Sequence, residues 1–319
     1  MFRTAIIGCG RIASGYDREV PTEWSATHAG AYHLCPDTEL VAVADPDSKA
    51  LKAFQDKWGV KRGYLDYREL LEREKLDIVS LCLPTAYHFP AFQETIDAGV
   101  SAIFCEKPLS HDLDEAVRMV EMARGRVVAV NYFRRWNPTL ARLAQGFRQK
   151  EYGEVVNVVI RYPKGMLVNA SHFIDLVRWF WGEPVAVKFL RTVSADPVDP
   201  GIDFSLSLAG GGMAYFINVP GIDFVFAEVD IITTQGRLVI AQRGQKVLTY
   251  PLVAEPHYRL FSIVGEPEIR ETEWRNCTTR AVQEIVDVMC GATSVTTCTM
   301  GDGLRTMEIC AAITSQLPA

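Results

Sequence analysis

Short apolar runs with no polar alternation recur through the first part of the chain: TAIIGC (4–9), ELVAVAD (39–45), DIVSLCL (77–83), AIFCE (102–106) and VVAVN (127–131). Runs this short that lack a polar face predict strands buried on both sides, as in a parallel sheet. Between them, SKALKAFQDKWG (48–59), YRELLEREK (67–75), HFPAFQETIDAG (88–99) and LDEAVRMVEMARG (113–125) place apolar residues at helical spacing, with glycine as a natural stop. Strand and helix in alternation predict a doubly wound α/β domain over residues 1–130.

Beyond about residue 150 the pattern changes. VVNVVIRY (155–162), VAVKFLRTV (185–193), DFSLSL (203–208), MAYFINV (213–219), FAEVDIIT (226–233) and RLVIA (237–241) follow one another with short turns, and several alternate as a one-sided sheet does. This predicts an open, mostly antiparallel sheet in a second α/β domain, 131–319. One helix interrupts it early, SHFIDLVRWFWG (171–182), and two close the chain, at 278–291 and 301–315.

Composition narrows the partners. The 319 residues are 48% hydrophobic with a net charge of −6, enough apolar material for two cores and no basic block for nucleic acid or anionic membrane. No apolar run approaches the roughly 18 residues of a membrane span, and MFRTAIIGCGRI does not have the form of a signal peptide. The eight cysteines include no C-x-x-C pair, and Cys9, Cys82 and Cys105 lie in apolar runs. They read as buried thiols in a reducing compartment, the cytoplasm, with no metal site expected.

Chemistry-bearing residues gather at the strand ends. GCGRIA (8–13) follows the first run in the form Gly-x-Gly-x-x-Ala. Glycines there allow a tight turn and let backbone N–H groups approach a pyrophosphate, so Gly8, Gly10, Arg11 and Ile12 are candidate cofactor contacts. Asp45 ends the second run, where a carboxylate accepts from both adenosine ribose hydroxyls and repels a 2′-phosphate; NAD is therefore expected over NADP. The same ADPDS stretch also suits a plain turn. Asp45 stands 35 residues beyond Gly10, against about 20 in the usual fingerprint. Residues 14–28, SGYDREVPTEWSATH, thus read as an insertion beside the cofactor turn, expected to act as a lid with Trp24 or Tyr16 as a wall and His28 opening a delayed first helix.

LPTAYH (83–88) bends at the end of the third run, which makes Leu83, Pro84, Thr85 and His88 candidate nucleotide contacts; a helix start capped by Thr85 is the plainer alternative. The fourth run ends in Glu106-Lys107-Pro108. At the carboxyl edge of a doubly wound sheet, where ligands bind, a lysine can stabilise negative charge developing on a substrate oxygen. In NASHFIDLVRWFWG, His172 and Asp175 share a helix face, and a histidine in a first turn can exchange a hydroxyl proton near neutral pH; a satisfied structural histidine is the alternative.

Together, GCGRIA, ADPD, EKP and SHFIDL, in this order and spacing, resemble the glucose–fructose oxidoreductase, inositol dehydrogenase and rhizopine catabolism (Gfo/Idh/MocA) family. The resemblance implies an N-terminal Rossmann domain, an open-sheet α/β domain, and NAD(P)-dependent oxidation or reduction of a sugar, sugar derivative or cyclitol. It assigns Lys107 and His172 as catalytic. Glu106 is expected at the cofactor edge and Tyr132, Arg134 and Asn169 beside the substrate; the pair Arg134 and Arg135, with Lys164, suits recognition of a carboxylate or phosphate, or equally a solvated or ion-paired surface. Many members carry an aspartate four residues before the histidine; here that position is Val168. A catalytically impaired nucleotide-binding regulatory or scaffold protein of the same fold is therefore the rival expectation. The sheet strands after residue 150 outnumber the helices available to cover both faces, which predicts a homodimer or homotetramer formed sheet to sheet.

Overall fold

The computed structural model describes residues 1–258 and 260–317. The chain divides into two compact units, Met1–Trp136 with Arg275–Arg305, and Asn137–Trp274 with the chain from Thr306 onward. The expected division at 130/131 differs in two ways. The boundary lies six residues later, and a segment near the chain's end returns to the first unit.

In the first unit, β1 (Phe2–Ile7), β2 (Thr38–Ala44), β3 (Arg62–Tyr64), β4 (Ile78–Leu81), β5 (Ala102–Cys105) and β6 (Val127–Val130) form a parallel sheet in the order β3-β2-β1-β4-β5-β6. Strands β4 and β5 are buried along their whole length, which is why their sequences carry no polar alternation. The helices are α1 (His28–Leu34), α2 (Ser48–Trp58), α3 (Tyr67–Arg73), α4 (His88–Asp97) and α5 (Leu113–Met122). Asp47, Asp66 and Asp112 cap α2, α3 and α5 by accepting from first-turn amides, and Gly59 ends α2 in the left-handed conformation. Strand order reverses between β1 and β4, so the ligand edge of this sheet lies at their carboxyl ends.

The insertion is folded tightly. Residues Arg11–Gly15 form a single π turn, and α1 begins only at His28, with Thr27 as its cap. Between them, buried Asp17 accepts from Ser25 Oγ (2.7 Å), Thr27 Oγ1 (2.5 Å) and the Ala26 N–H (3.2 Å). From α2, Lys57 Nζ donates to the Ser14 and Asp17 carbonyls, and Trp58 Nε1 donates to Ser14 Oγ. Tyr16 is exposed, and one face of Trp24 carries the Arg275 guanidinium.

The second unit opens with α6 (Pro138–Arg148) and then builds a nine-stranded sheet. Its strands are β7 (Val155–Tyr162), β8 (Ala186–Ser194), β9 (Gly201–Ser207), β10 (Met213–Asn218), β11 (Glu228–Thr233), β12 (Gly236–Ala241), β13 (Lys246–Ala254), β14 (Ser262–Val264) and β15 (Glu268–Glu271), with α7 (Ser171–Trp181) after β7. Their order is β14-β13-β12-β11-β7-β10-β9-β8, with β15 on β13. All pairs are antiparallel except β7 with β10. Two helices close the chain, α8 (Cys277–Met289) and α9 (Met300–Thr314). The core lies on one face of the sheet, where Ile160, Phe204, Phe216 and Ile231 meet Phe147 of α6, Phe180 of α7 and Ile313 of α9. Phe204 and Phe216 are cross-strand neighbours and stack with centroids 4.3 Å apart.

Candidate active site

The cofactor turn is built from two different glycines. Gly8 has φ +100°, and a Cβ there would stand 2.6 Å from the Cys82 carbonyl oxygen, so the fold itself requires glycine. A Cβ on Gly10 would meet nothing within 4 Å. Protein packing gives no reason for that glycine. The open space at the carboxyl edge fits a pyrophosphate approaching the backbone, as a nicotinamide dinucleotide requires. Asp45, one step past β2, accepts from the Cys9 N–H (2.6 Å) and the Asp47 N–H (2.8 Å), one on each oxygen. A carboxylate has about four acceptor sites, so two remain for a ribose diol, while the Cys9 bond ties the glycine turn to the end of β2 and the Asp47 bond closes a local turn. Arg11 is exposed and Ile12 half-buried beside them.

The expected contacts around 83–88 divide. Leu83, Pro84 and Thr85 lie at least partly open past β4, and Thr85 begins a short 3-10 turn without acting as a cap. His88 is a correction. It is buried, with Nδ1 2.8 Å from the Pro108 carbonyl and Nε2 2.9 Å from the Leu83 carbonyl. Burial pushes its pKa down, only partly offset by those carbonyls. A neutral imidazole has one N–H, so it donates to one of these carbonyls and only abuts the other; buried between two edge loops, it presents nothing to a cofactor.

Lys107 follows β5 at the same edge, half-buried, with its peptide to Pro108 cis. Glu106 is a second correction. Its carboxylate turns inward: Oε1 accepts from Asn131 Nδ2 (2.6 Å) and lies 2.9 Å from His28 Nε2, while Oε2 accepts weakly from the Lys107 N–H (3.3 Å). Burial alone would raise the Glu106 carboxyl, but the hydrogen bond and charge of His28, the Asn131 amide and nearby Lys107 hold its pKa below the ordinary value. Sequence reasoning missed His28 and Asn131 as members of this edge. Asn131 is buried, and among the described residues its Oδ1 has no partner. Its orientation is fixed because Glu106 can only accept, so a buried acceptor is left for a donor from elsewhere.

Tyr132 and Arg134 are both buried, with the Arg134 guanidinium against the neighbouring Phe133 ring. Arg135, the other half of the arginine pair, is structural. It pairs with Asp302 at 3.0 Å and donates to the Thr297 carbonyl at 3.2 Å.

In the second unit, His172 is the second residue of α7, half-buried. Asp175 is fully buried and lies 3.8 Å from Arg178, so it serves the helix interior. A π turn, Met166–Ala170, leads into the helix and carries Val168 and Asn169. Asn169 Nδ2 donates to the Pro163 carbonyl at 2.9 Å. A carboxylate does reach this turn, from the β8–β9 connection: Asp199 accepts from the Leu167 N–H (2.5 Å) and the Val168 N–H (2.9 Å). It satisfies the amide of Val168, which replaces the usual aspartate, and that of the preceding Leu167. All eight cysteines are free thiols, and among the described residues no cluster of His, Cys, Asp or Glu is placed to hold a metal ion. No described helix is long and apolar enough to cross a membrane.

A parallel sheet in this order, with a glycine turn, an acidic strand end and a lysine at its carboxyl edge, defines a dinucleotide-binding Rossmann domain. Residues 2–132 match the model of the oxidoreductase family with NAD-binding Rossmann fold. Through that domain the chain is similar to the Gfo/Idh/MocA oxidoreductases. It is 27% identical over 206 residues to myo-inositol 2-dehydrogenase of Thermotoga maritima, covering 59% of this chain and 57% of that one. It is 30% identical over 155 residues to D-glucoside 3-dehydrogenase of Escherichia coli, covering 48% of this chain and 41% of that one. The matched stretches thus span less than two thirds of these curated relatives. The fold is shared along nearly the whole chain with the WlbA dehydrogenase of Chromobacterium violaceum, solved with NADH and UDP-GlcNAcA: TM-score 0.78, 21% identity, covering 98% of this chain and 93% of that one.

Proposed function

We propose that the protein is a nicotinamide-dependent dehydrogenase or reductase acting on a secondary hydroxyl or ketone of a sugar, sugar derivative or cyclitol. The observation that carries the reading is the carboxyl edge of the first sheet. Gly10 leaves room that no protein atom uses, Asp45 keeps two acceptor sites, and Asn131, past the strand next to that of Lys107, holds a buried acceptor with no partner among the described residues. NAD supplies the hydride acceptor when bound, and Asp45 disfavours the 2′-phosphate of NADP. The chain supplies the rest. His172 takes the hydroxyl proton on its imidazole, and the Lys107 ammonium stabilises the oxygen as it gains negative charge. Tyr132, Arg134 and Asn169 are assigned to the substrate. The first unit is read as the cofactor domain, the second as the domain for substrate binding and self-association. Free thiols throughout suit the cytoplasm.

Two measurements test this. Protein fluorescence is titrated with NADH and NADPH; tighter NADPH binding would show that Asp45 does not face the ribose. Turnover is then sought with myo-inositol, glucosides and a nucleotide-linked uronic acid, the compound classes of the similar proteins. Lys107→Ala and His172→Ala should lower kcat by about 10²–10⁴-fold, the usual worth of an acid–base group, with NADH binding retained. The regulatory reading rests on Val168 and predicts NADH binding with no turnover of any compound.

A further inference from the structure

Behind Lys107 runs a buried polar chain that the proposed chemistry leaves unused. Tyr32 Oη of α1 lies 2.7 Å from Ser80 Oγ of β4, Ser80 Oγ lies 2.9 Å from His28 Nδ1, and His28 Nε2 lies 2.9 Å from Glu106 Oε1. Asn131 Nδ2 reaches the same carboxylate oxygen at 2.6 Å. All five residues are buried, and the His28 ring lies against Phe104 with centroids 4.3 Å apart. The end of the chain fixes one step: ionised Glu106 only accepts, so His28 Nε2 carries a proton. Ser80 Oγ bridges His28 Nδ1 and Tyr32 Oη. An apolar set of similar volume would pack here without the cost of desolvating a carboxylate, so packing alone does not account for the arrangement.

Its end point does. Glu106 is bonded to Lys107 in sequence, and its second oxygen faces the Lys107 N–H. We propose that His28 and Asn131 are positioning residues that hold the Glu106 carboxylate ionised as an internal counter-charge, keeping the neighbouring Lys107 charged and aimed. This rests on the role given to Lys107 above. Among the groups around Glu106, His28 lowers its carboxyl most, ahead of Asn131 and Lys107. From β5 and the end of β4, the Cys105 and Cys82 thiols are pushed up by burial and by Glu106 itself, so they stay protonated and bring no charge. From α1 and α4 come His28 and His88, the latter pushed down by burial. Lys107 is the remaining positive neighbour. Without His28, Glu106 keeps its burial and loses its strongest donor, so its carboxyl takes up a proton at higher pH. Lys107 then faces a neutral acid.

The test compares wild type with His28→Ala, His28→Gln and Asn131→Ala, using Glu106→Gln as a spectral control. Difference infrared spectroscopy follows the protonated-carboxyl band that Glu106→Gln removes, with neither cofactor nor substrate present. In wild type this band should appear only below the ordinary glutamate value of 4.5. In His28→Ala it should appear at least about one pH unit higher than in wild type, with Asn131→Ala in between. In His28→Gln, whose amide N–H can replace the lost donor, it should return most of the way. In the reaction, the acid limb of kcat/KM should move up with the same ordering. His28→Ala should lower kcat by about 10- to 100-fold, the scale of a small misplacement of a catalytic group, with little change in KM. A Glu106 band unmoved in His28→Ala overturns the proposal, as does a moved band with wild-type kcat and pH profile. If wild type turns over no substrate, the function proposed above fails, and the infrared titration still decides whether His28 holds Glu106 ionised. Should His28→Ala fail to fold, His28→Gln and Asn131→Ala carry the same comparison.

Discussion

Two glycines two positions apart should respond oppositely to the same substitution. At Gly8 an alanine meets a left-handed backbone, which costs an L-residue about 1–2 kcal/mol, and a carbonyl oxygen 2.6 Å from its Cβ. Gly8→Ala should therefore lower the melting temperature markedly. At Gly10 the backbone is extended, with φ −69° and ψ −169°, and the added methyl touches nothing. Gly10→Ala should leave stability within about 0.5 kcal/mol of wild type, the range of an unstrained surface change, while weakening NADH binding at least about tenfold. Thermal melts and NADH titrations of both variants check this. A Gly10→Ala protein that binds NADH as tightly as wild type would mean that the open space is not where the dinucleotide lies. The two residues look alike in the sequence; their duties separate only when β4 is placed beside the turn.

At the scale of elements, the turn that delivers His172 depends on a residue from a different connection. Asp199 occupies the Leu167 and Val168 amides, as a capping carboxylate does at a helix start. Asp199→Ala should cost about 1–2 kcal/mol, the upper range for a lost cap, and should lower kcat more than it raises KM, because His172 loses a fixed approach. Asp199→Asn should recover most of the stability, since an amide oxygen can still accept; urea melts and steady-state kinetics separate the two effects. None of this was legible in the sequence, where Asp199 lies 31 residues from Val168 in an unremarkable DPVDP stretch. The first sheet was legible because its strands are uniformly apolar. Its exception, β3, is three residues at an edge, Arg-Gly-Tyr, with no apolar run to announce it. Helix α6 was missed although Asn137 caps it and Pro138 opens it, a start signal followed by apolar residues at helical spacing. Strands β13, β14 and β15 were missed: β14 and β15 are exposed along their length and β13 over its second half, so none carries a full core pattern. At the site, the glycine turn, Asp45 and Lys107 could be read from local motifs. The His28 and Asn131 roles could not, because Glu106 is 78 residues from one and 25 from the other.

For the whole molecule, the return of the chain's end to the first unit limits where the protein can be cut. Trp136 Nε1 donates to Glu284 Oε2 at 2.8 Å, Thr296 Oγ1 donates to the Val128 carbonyl at 2.9 Å, and Ala281 and Ile285 of α8 are fully buried. A fragment of residues 1–136 should therefore lack a cooperative melt, and adding 275–305 through a flexible linker should restore both the melt and NADH binding. The second unit leads to a claim about assembly. Its core residues occupy one face of the nine-stranded sheet. On the other face the register aligns Tyr215, Val159, Asp230, Val239 and Leu248 across five strands, with Met213, Asn157, Ile232, Arg237 and Tyr250 in the next row. Within these rows, Asp230 and Arg237 pair at 2.9 Å, and aromatic and aliphatic side chains flank the pair. A broad face of this mixture, apolar with self-complementary charge pairs, suits an isologous contact in which the same patch meets its copy. Light scattering should report at least twice the 35.6 kDa chain mass at micromolar concentration. Replacing Val159 and Tyr215 together by lysine puts like charges opposite one another in such a contact, and the double variant should fall to the monomer mass while keeping its NADH affinity. A wild-type protein that scatters as a monomer would reject the sheet-to-sheet contact, and a double variant that stays oligomeric would place the contact on another surface.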